Sequence, residues 1–332
     1  MAGSLETSES RDNNFDAIRL VAALTVIVGH AWPLTGMPHP PRVAGIAIYD
    51  LAVLVFFSVS GYLITLSWQR TPVVRRFLAA RVLRIFPALV VLVLLTTLVV
   101  GPLVTTLSAG DYFASPATWG YLVNSTLVAV YDLPGVFTDN PLPPVNGSLW
   151  SLGPEFLCYL AVLGVGLIAL RARLAAFIVA TVAVAAAWFV VDEPLRTIVG
   201  ATAFFGVSAI IATIARGRTL PWWPALSVPV WLVFGAAVPD LGIPLAWLVV
   251  PYAVIAVGMR ATPVIRSAGR FGDFSYGLYL WGFLVQQVVV SALGVLPLWL
   301  DLLVVVPVTG ILAFASWHLV EKRALALKSR FR

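Results

Sequence analysis

Apolar residues in this chain neither alternate nor recur at helical intervals between polar faces; they run on. Uncharged or nearly uncharged stretches of about 18 or more residues follow one another, each long enough to cross a hydrocarbon layer of about 30 Å as a helix. The pattern predicts ten spans, near residues 15–34, 46–68, 84–106, 148–170, 174–191, 196–215, 222–238, 243–259, 274–294 and 298–320. Proline and glycine mark the breaks, as in PLTGMPHPPRVAGIAIYD after the first run and DNPLPPVNG before the fourth. ATWGYLVNSTLVAVY, 117–131, is too short and too polar for a further span and reads as interfacial or re-entrant. The predicted fold is therefore all-α and polytopic, with a polar N-terminal tail over 1–12, a ten-helix membrane domain over 13–321, a large external loop at 105–147 and a basic tail over 322–332. The N-terminal MAGSLETSESRD lacks the basic, apolar, small-residue order of a signal peptide, so no cleavage is expected.

Composition agrees: of 332 residues, 60% are hydrophobic and only 11% charged, with a mean hydropathy of +0.96. Charge adds orientation. Of the 21 basic residues, nineteen gather in the N-terminal segment, every second connection and the C-terminal tail, leaving only Arg42 and Arg196 on the other side. By the positive-inside rule both termini are cytoplasmic. The net charge of +6 is thus a topology signal, and the basic residues form no continuous nucleic-acid patch. A single cysteine, Cys158, excludes an intramolecular disulfide, and His30, His39 and His318 are too scattered for a metal or haem site.

Candidate chemistry begins in the first span, where Arg19 and His30, eleven residues apart, share nearly one helix face at levels roughly 16 Å apart. Ionisable groups at membrane depth need a partner, a wet cavity or a ligand. Arg19 reads either as an interfacial anchor or as a ligand-binding cation, and His30 as a satisfied buried imidazole or a base. In FFSVSGYLIT, Ser58, Ser60 and Gly61 make a narrow waist that serves close helix packing or admits a thin ligand arm. Arg81 and Arg84, three apart, suit phosphate oxygens and lipid headgroups equally. Acidic and aromatic residues of the 105–147 loop suit a polyhydroxylated ligand or are ordinary loop residues. In NGSLWSLGPEF, Ser148 or Ser151 caps the fourth span, which places Glu155 about one turn below the outer surface, at the predicted depth of His30. A carboxylate and an imidazole at one depth can pair to poise a general base; the alternative is a helix-start carboxylate favoured by the macrodipole. Tyr276, Tyr279 and Trp281 fit an aromatic belt, and Glu321 an ordinary interfacial position.

FDAIRLVAALTVIVGHA, FFSVSGYLI, ARVLRIFP, SLWSLGPEF and FSYGLYLW, in this order, resemble the family 3 membrane acyltransferases, which O-acylate carbohydrates and other envelope or secreted molecules. The resemblance covers residues 15–281 and implies a coenzyme A type donor, acetyl-CoA above all, with no metal. It implies a carbohydrate or glycolipid acceptor, a bacterial inner-membrane location in contact with the lipid bilayer, and polysaccharide assembly proteins as candidate partners. The family's arginine and histidine pattern falls on Arg19 and His30, its paired arginines on Arg81 and Arg84, and its serine, leucine, tryptophan and glutamate motif on Ser148, Leu149, Trp150 and Glu155. His30 and Glu155 are then expected to be catalytic, the three arginines to hold the donor, and Ser58, Ser60, Gly61, Ser148, Trp150, Tyr276 and Tyr279 to contact substrate. One position departs: where many members have a histidine after the ninth-span YLW, this chain has Gly282. Many members also carry a soluble esterase-like domain, for which a chain ending at Arg332 is expected to have no room. From another class, a transporter would use Arg19, His30 and Glu155 as a relay, but no internal repeat supports one.

Overall fold

The computed structural model describes residues 13–331; the predicted tail over 1–12 and Arg332 lie outside the described residues. Among the described residues the bundle is built chiefly from α1 Phe15–Leu34, α2 Ile48–Arg70, α3 Val74–Leu95, α4 Leu152–Leu167, α5 Leu170–Ala187, α6 Leu195–Ala215, α7 Ser227–Ala237, α8 Gly242–Gly258, α9 Ser275–Leu293 and α10 Leu298–Ser316. Among the described residues, nine helices are long and apolar enough to cross a membrane, and the chain is an all-α polytopic membrane protein. The expected seventh span is shorter than predicted, a 3-10 turn at Trp223–Leu226 leading into the eleven residues of α7.

Two boundaries move. The third helix starts at Val74, ten residues earlier than expected, so that the basic segment holding Arg75, Arg76, Arg81 and Arg84 is helical. Its residues are mostly good helix formers, and only Thr71–Val73, with Pro72 removing a backbone donor, interrupt the chain after α2. The fourth span starts later, at Leu152, after a 3-10 turn Gly147–Ser151. Asn146 is the residue whose side chain caps that turn, accepting from the Ser148 N–H, a role expected of Ser148 or Ser151.

The segment before that turn is folded. Short helices Ala109–Ala114 and Pro116–Gly120 and a 3-10 turn Tyr121–Thr126 replace the interfacial stretch. The Tyr112 hydroxyl donates to the Thr97 carbonyl at 2.9 Å, and burial pushes that phenol up to about 12, so it remains neutral. Asn140 and Asn146 donate to the Gln287 and Leu280 carbonyls of α9 at 3.0 and 2.9 Å, while the Gln287 amide donates to the Leu142 and Pro144 carbonyls at 2.6 Å. These bonds satisfy loop backbone groups and hold the 140–147 segment against α9, with Val145 and Asn146 buried.

Close backbone approaches set the helix register. Phe15 stacks on Tyr62 at 5.7 Å and His30 on Tyr49 at 4.7 Å, so α1 and α2 run antiparallel. Counting between those contacts puts Ser60 at the level of Ile18 and Arg19, about 16 Å from the level of His30. A Cβ at Gly61 would collide with the Phe205 carbonyl, and with Ser208 Cβ at 2.8 Å, so α2 and α6 touch there. Helix α9 runs parallel to α1, and a Cβ at Gly282 would lie 2.6 Å from Ile27 Cγ1.

Candidate active site

At the Arg19 end, side chains of four segments converge on buried charge. Asp273, just before α9, accepts on Oδ2 from Arg19 at 2.8 Å and from Arg84 at 2.7 Å. Arg84 also reaches Glu321 Oε2 at 3.2 Å, beyond the end of α10. Ser275 and Ser316 donate to the remaining oxygens of the two carboxylates at 2.6 and 2.8 Å. Arg84 further lies 5.3 Å from the centre of the Tyr276 ring, whose hydroxyl donates to the Ile85 carbonyl at 2.8 Å. Arg19 and Arg84 are therefore neutralised within the protein.

Arg81 is not. No carboxylate among the described residues lies within ion-pair distance of it, and its Nε is buried without a hydrogen-bond partner. Its guanidinium sits 5.8 Å from the ring centres of Phe77 and Tyr159. The Tyr159 hydroxyl donates to Glu155 Oε1 at 2.7 Å, and Ser60 Oγ donates to the same oxygen at 2.5 Å. Glu155 Oε2 has no hydrogen-bond partner among the described residues, and the carboxylate lies near enough to Arg81 for the two charges to attract. The expected pairing of Glu155 with His30 is therefore corrected: Glu155 lies at the Ser60 level. Sequence depth was counted from the start of the fourth span as if it lay at the surface. Gly147, whose Cβ would come 2.8 Å from Phe283, instead starts the turn well inside the bundle.

His30 occupies the other end. Tyr49 stacks on its ring with an interplanar angle of 20°, and Phe283 meets it edge-on at 5.2 Å. Nδ1 is buried without a completed hydrogen bond. The Val26 carbonyl lies four residues back on the same helix. A proton on Nδ1 would leave Nε2 as the free lone pair.

Between the ends, Tyr276, Tyr279 and Phe283 form an i, i+3, i+7 stripe on α9, reaching from Arg84 to His30. Tyr279 is held by Ser151 Oγ at 2.6 Å and by the Ser148 carbonyl at 2.7 Å, and packs edge-on to Phe56 at 5.7 Å. Of the other expected substrate contacts, Ser58 donates to the Leu54 carbonyl at 2.8 Å and is fully buried, and Gly61 is filled by α6. That waist serves helix packing, and only Ser60 faces the polar interior. Ser148 Oγ is buried and unpartnered, and Trp150 packs on the core. Asp273, Tyr159, Tyr49 and Phe283 were missed, and Glu321 was read as interfacial; each becomes visible only through partners from distant helices.

A cluster of charged side chains, an aromatic stripe and a half-buried imidazole lie in succession along the bundle axis. The family description for an acyltransferase domain matches residues 12–319. The chain belongs to the family 3 acyltransferases. An O-acetyl transferase of Shigella phage Sf6 is 32% identical over 340 residues, covering 96% of this chain and 98% of that protein. Nodulation protein 10 of Rhizobium leguminosarum bv. viciae is 31% identical over 374 residues, covering 99% and 97%. No solved structure matches. The protein is a multi-pass membrane acyltransferase. Within this acyltransferase, the missing ninth-span histidine has a steric account: Ile27 fills the space beside Gly282, leaving none for an imidazole.

Proposed function

We propose that this acyltransferase moves an acetyl group from cytoplasmic acetyl-CoA to a hydroxyl of an envelope or exported carbohydrate, in the inner membrane of a bacterium. The observation that carries the reading is Arg81, whose buried Nε has no hydrogen-bond partner and which has no carboxylate within ion-pair distance, beside a cluster whose other arginines are paired. Such a cation is poised for an incoming phosphate, because the ligand supplies the charge that the protein withholds. Arg19 and Arg84, neutralised and held rigid by Asp273 and Glu321, frame the approach to Arg81.

The donor's pantetheine arm would lie along Tyr276, Tyr279 and Phe283, an extended arm matching much of the roughly 16 Å between the two levels. Glu155 Oε2, with Oε1 fixed by Ser60 and Tyr159, offers an acceptor for an amide N–H of that arm. The thioester then lies at His30. Nε2 takes the acceptor hydroxyl's proton as its oxygen attacks the thioester carbon. The tetrahedral intermediate expels the coenzyme A thiolate, which receives the proton back from His30. General-base catalysis of this kind contributes a factor of about 100 to 10,000. The phage relative named O-acetyl transferase supports the acetyl group and the oxygen acceptor. Partners delivering the acceptor would be envelope polysaccharide assembly proteins.

The test is to incubate purified protein in nanodiscs with acetyl-labelled acetyl-CoA and candidate glycans, then follow label that mild alkali releases from the glycan. Ester label is expected from wild type and not from His30→Ala. Undiminished turnover by well-folded His30→Ala would overturn the mechanism.

A further inference from the structure

We infer that Tyr49 and Phe283 form a size clamp around His30 that restricts the donor to very short acyl groups. The inference rests on the proposed reaction at His30 Nε2, and it deepens that proposal by naming what sets the acyl class. A base and a reacting hydroxyl must be within hydrogen-bond reach, and the attacked carbon must lie about 3–3.5 Å from that hydroxyl oxygen. The acyl tail is therefore carried to within contact distance of whatever encloses His30.

Two rings flank it, and Phe283 has no room to withdraw. Tyr49 covers one face of the imidazole at 4.7 Å, and its Cβ and main chain are fixed against α1: a Cβ at Gly29 would stand 2.9 Å from Tyr49 Cβ and 3.0 Å from its backbone nitrogen. Phe283 closes the edge at 5.2 Å, and its far side abuts Gly147, where a Cβ would lie 2.8 Å from the ring. One turn further along α9, Gln286 donates to the Ile27 carbonyl at 3.2 Å and to Asp301 at 3.3 Å, which ties this part of α9 to α1 and α10. The Phe283 ring is thus backed by main chain rather than by side chains that change rotamer, and Tyr49 is anchored at its Cβ. Close-packed interiors resist added methylenes, and in a closed apolar pocket one methylene changes selectivity by about 10–200-fold.

The experiment measures kcat/KM of purified protein in nanodiscs for acetyl-, butyryl- and hexanoyl-CoA with one glycan acceptor, for wild type, Phe283→Ala, Phe283→Leu and Tyr49→Phe. Wild type should prefer acetyl over butyryl by about 100-fold or more. Phe283→Ala should move that ratio at least about tenfold toward butyryl, and Phe283→Leu should move it less. Tyr49→Phe keeps the ring and should leave the ratio unchanged. If Phe283→Ala does not yield monodisperse protein, the Leu variant carries the comparison. Acetyl transfer by wild type with a flat chain-length profile, or a uniform loss across donors in the Phe283 variants, overturns the clamp alone. No transfer from any coenzyme A thioester by folded wild type overturns the donor proposal and the clamp together.

Discussion

Arg81 and Arg84 are three residues apart on one helix, yet their surroundings predict opposite responses to substitution. Arg84 neutralises Asp273 and Glu321, and the Glu321 side chain is only 2% exposed. Removing one partner of a buried pair leaves the other charge uncompensated, at a cost of about 3 kcal/mol. Arg84→Ala should therefore lower Tm by several degrees in a thermal unfolding scan of the solubilised protein. Arg81→Ala breaks no ion pair, so Tm should stay within about 2 °C, while affinity for the coenzyme A donor, read by calorimetry, should fall at least about tenfold. Equal thermal losses in the two variants would place Arg81 in the structural cluster. A double-mutant cycle on kcat/KM tests the position of Glu155 in the same way. Glu155→Gln and Tyr159→Phe alter one hydrogen bond of 2.7 Å and should couple by about 0.5–3 kcal/mol. Glu155→Gln and Tyr49→Phe alter two levels about 16 Å apart in the bundle and should combine additively within about 0.5 kcal/mol. Strong coupling in the second pair would restore the carboxylate and imidazole as one unit.

Helices that meet backbone to backbone make the levels of the site fixed. Gly61 is the tightest such point in α2, so Gly61→Ala should force α2 and α6 apart and cost about 1–3 kcal/mol. Gly164→Ala, where a Cβ meets nothing within 4 Å, is the control and should be neutral or slightly stabilising. The fraction of monodisperse protein after heating separates the two. The same elements show what was legible in the sequence. Hydrophobic runs reveal helices because lipid demands about 20 apolar residues, and Arg19, Arg81, Arg84, His30 and Glu155 stand out because charge is costly there. Depth was not legible for Glu155, because loop segments near residue 140 bond to α9 and carry the fourth helix start inward. Asp273 was not legible either: it lies at the edge of a span, and its partners are 189 and 254 residues away. The waist at Gly61 left two readings open that only the face of α6 could decide.

Across the whole molecule, the path of the chain makes a prediction that helix length alone would not. Helix α7 is short, but its ends are far apart in the bundle. It follows α6, whose Ala212 clusters with Phe15 and Tyr62 at the Arg19 end. It finishes with Gly235, Pro239 and Gly242 against Ala44 and Gly45, in the connection beyond His30. Helix α8 then returns, and Gly258 meets Phe15. These contacts make ten passes the expected path, which would return Lys322 and Arg323 to the end where Arg70, Arg75, Arg171, Arg173, Arg216 and Arg260 are expected. Basic residues stay on the cytoplasmic face during insertion, so both termini are expected there, with the 105–147 segment on the opposite face. On a Cys158→Ser background, a cysteine at position 139 should react with a membrane-impermeant maleimide in intact cells, and one at position 328 only after permeabilisation. Labelling of position 328 from outside would reverse the donor and acceptor faces. Protection of position 139 with position 328 also protected would show that the 105–147 segment is sealed or inward-facing, and would remove the external route by which the acceptor reaches His30.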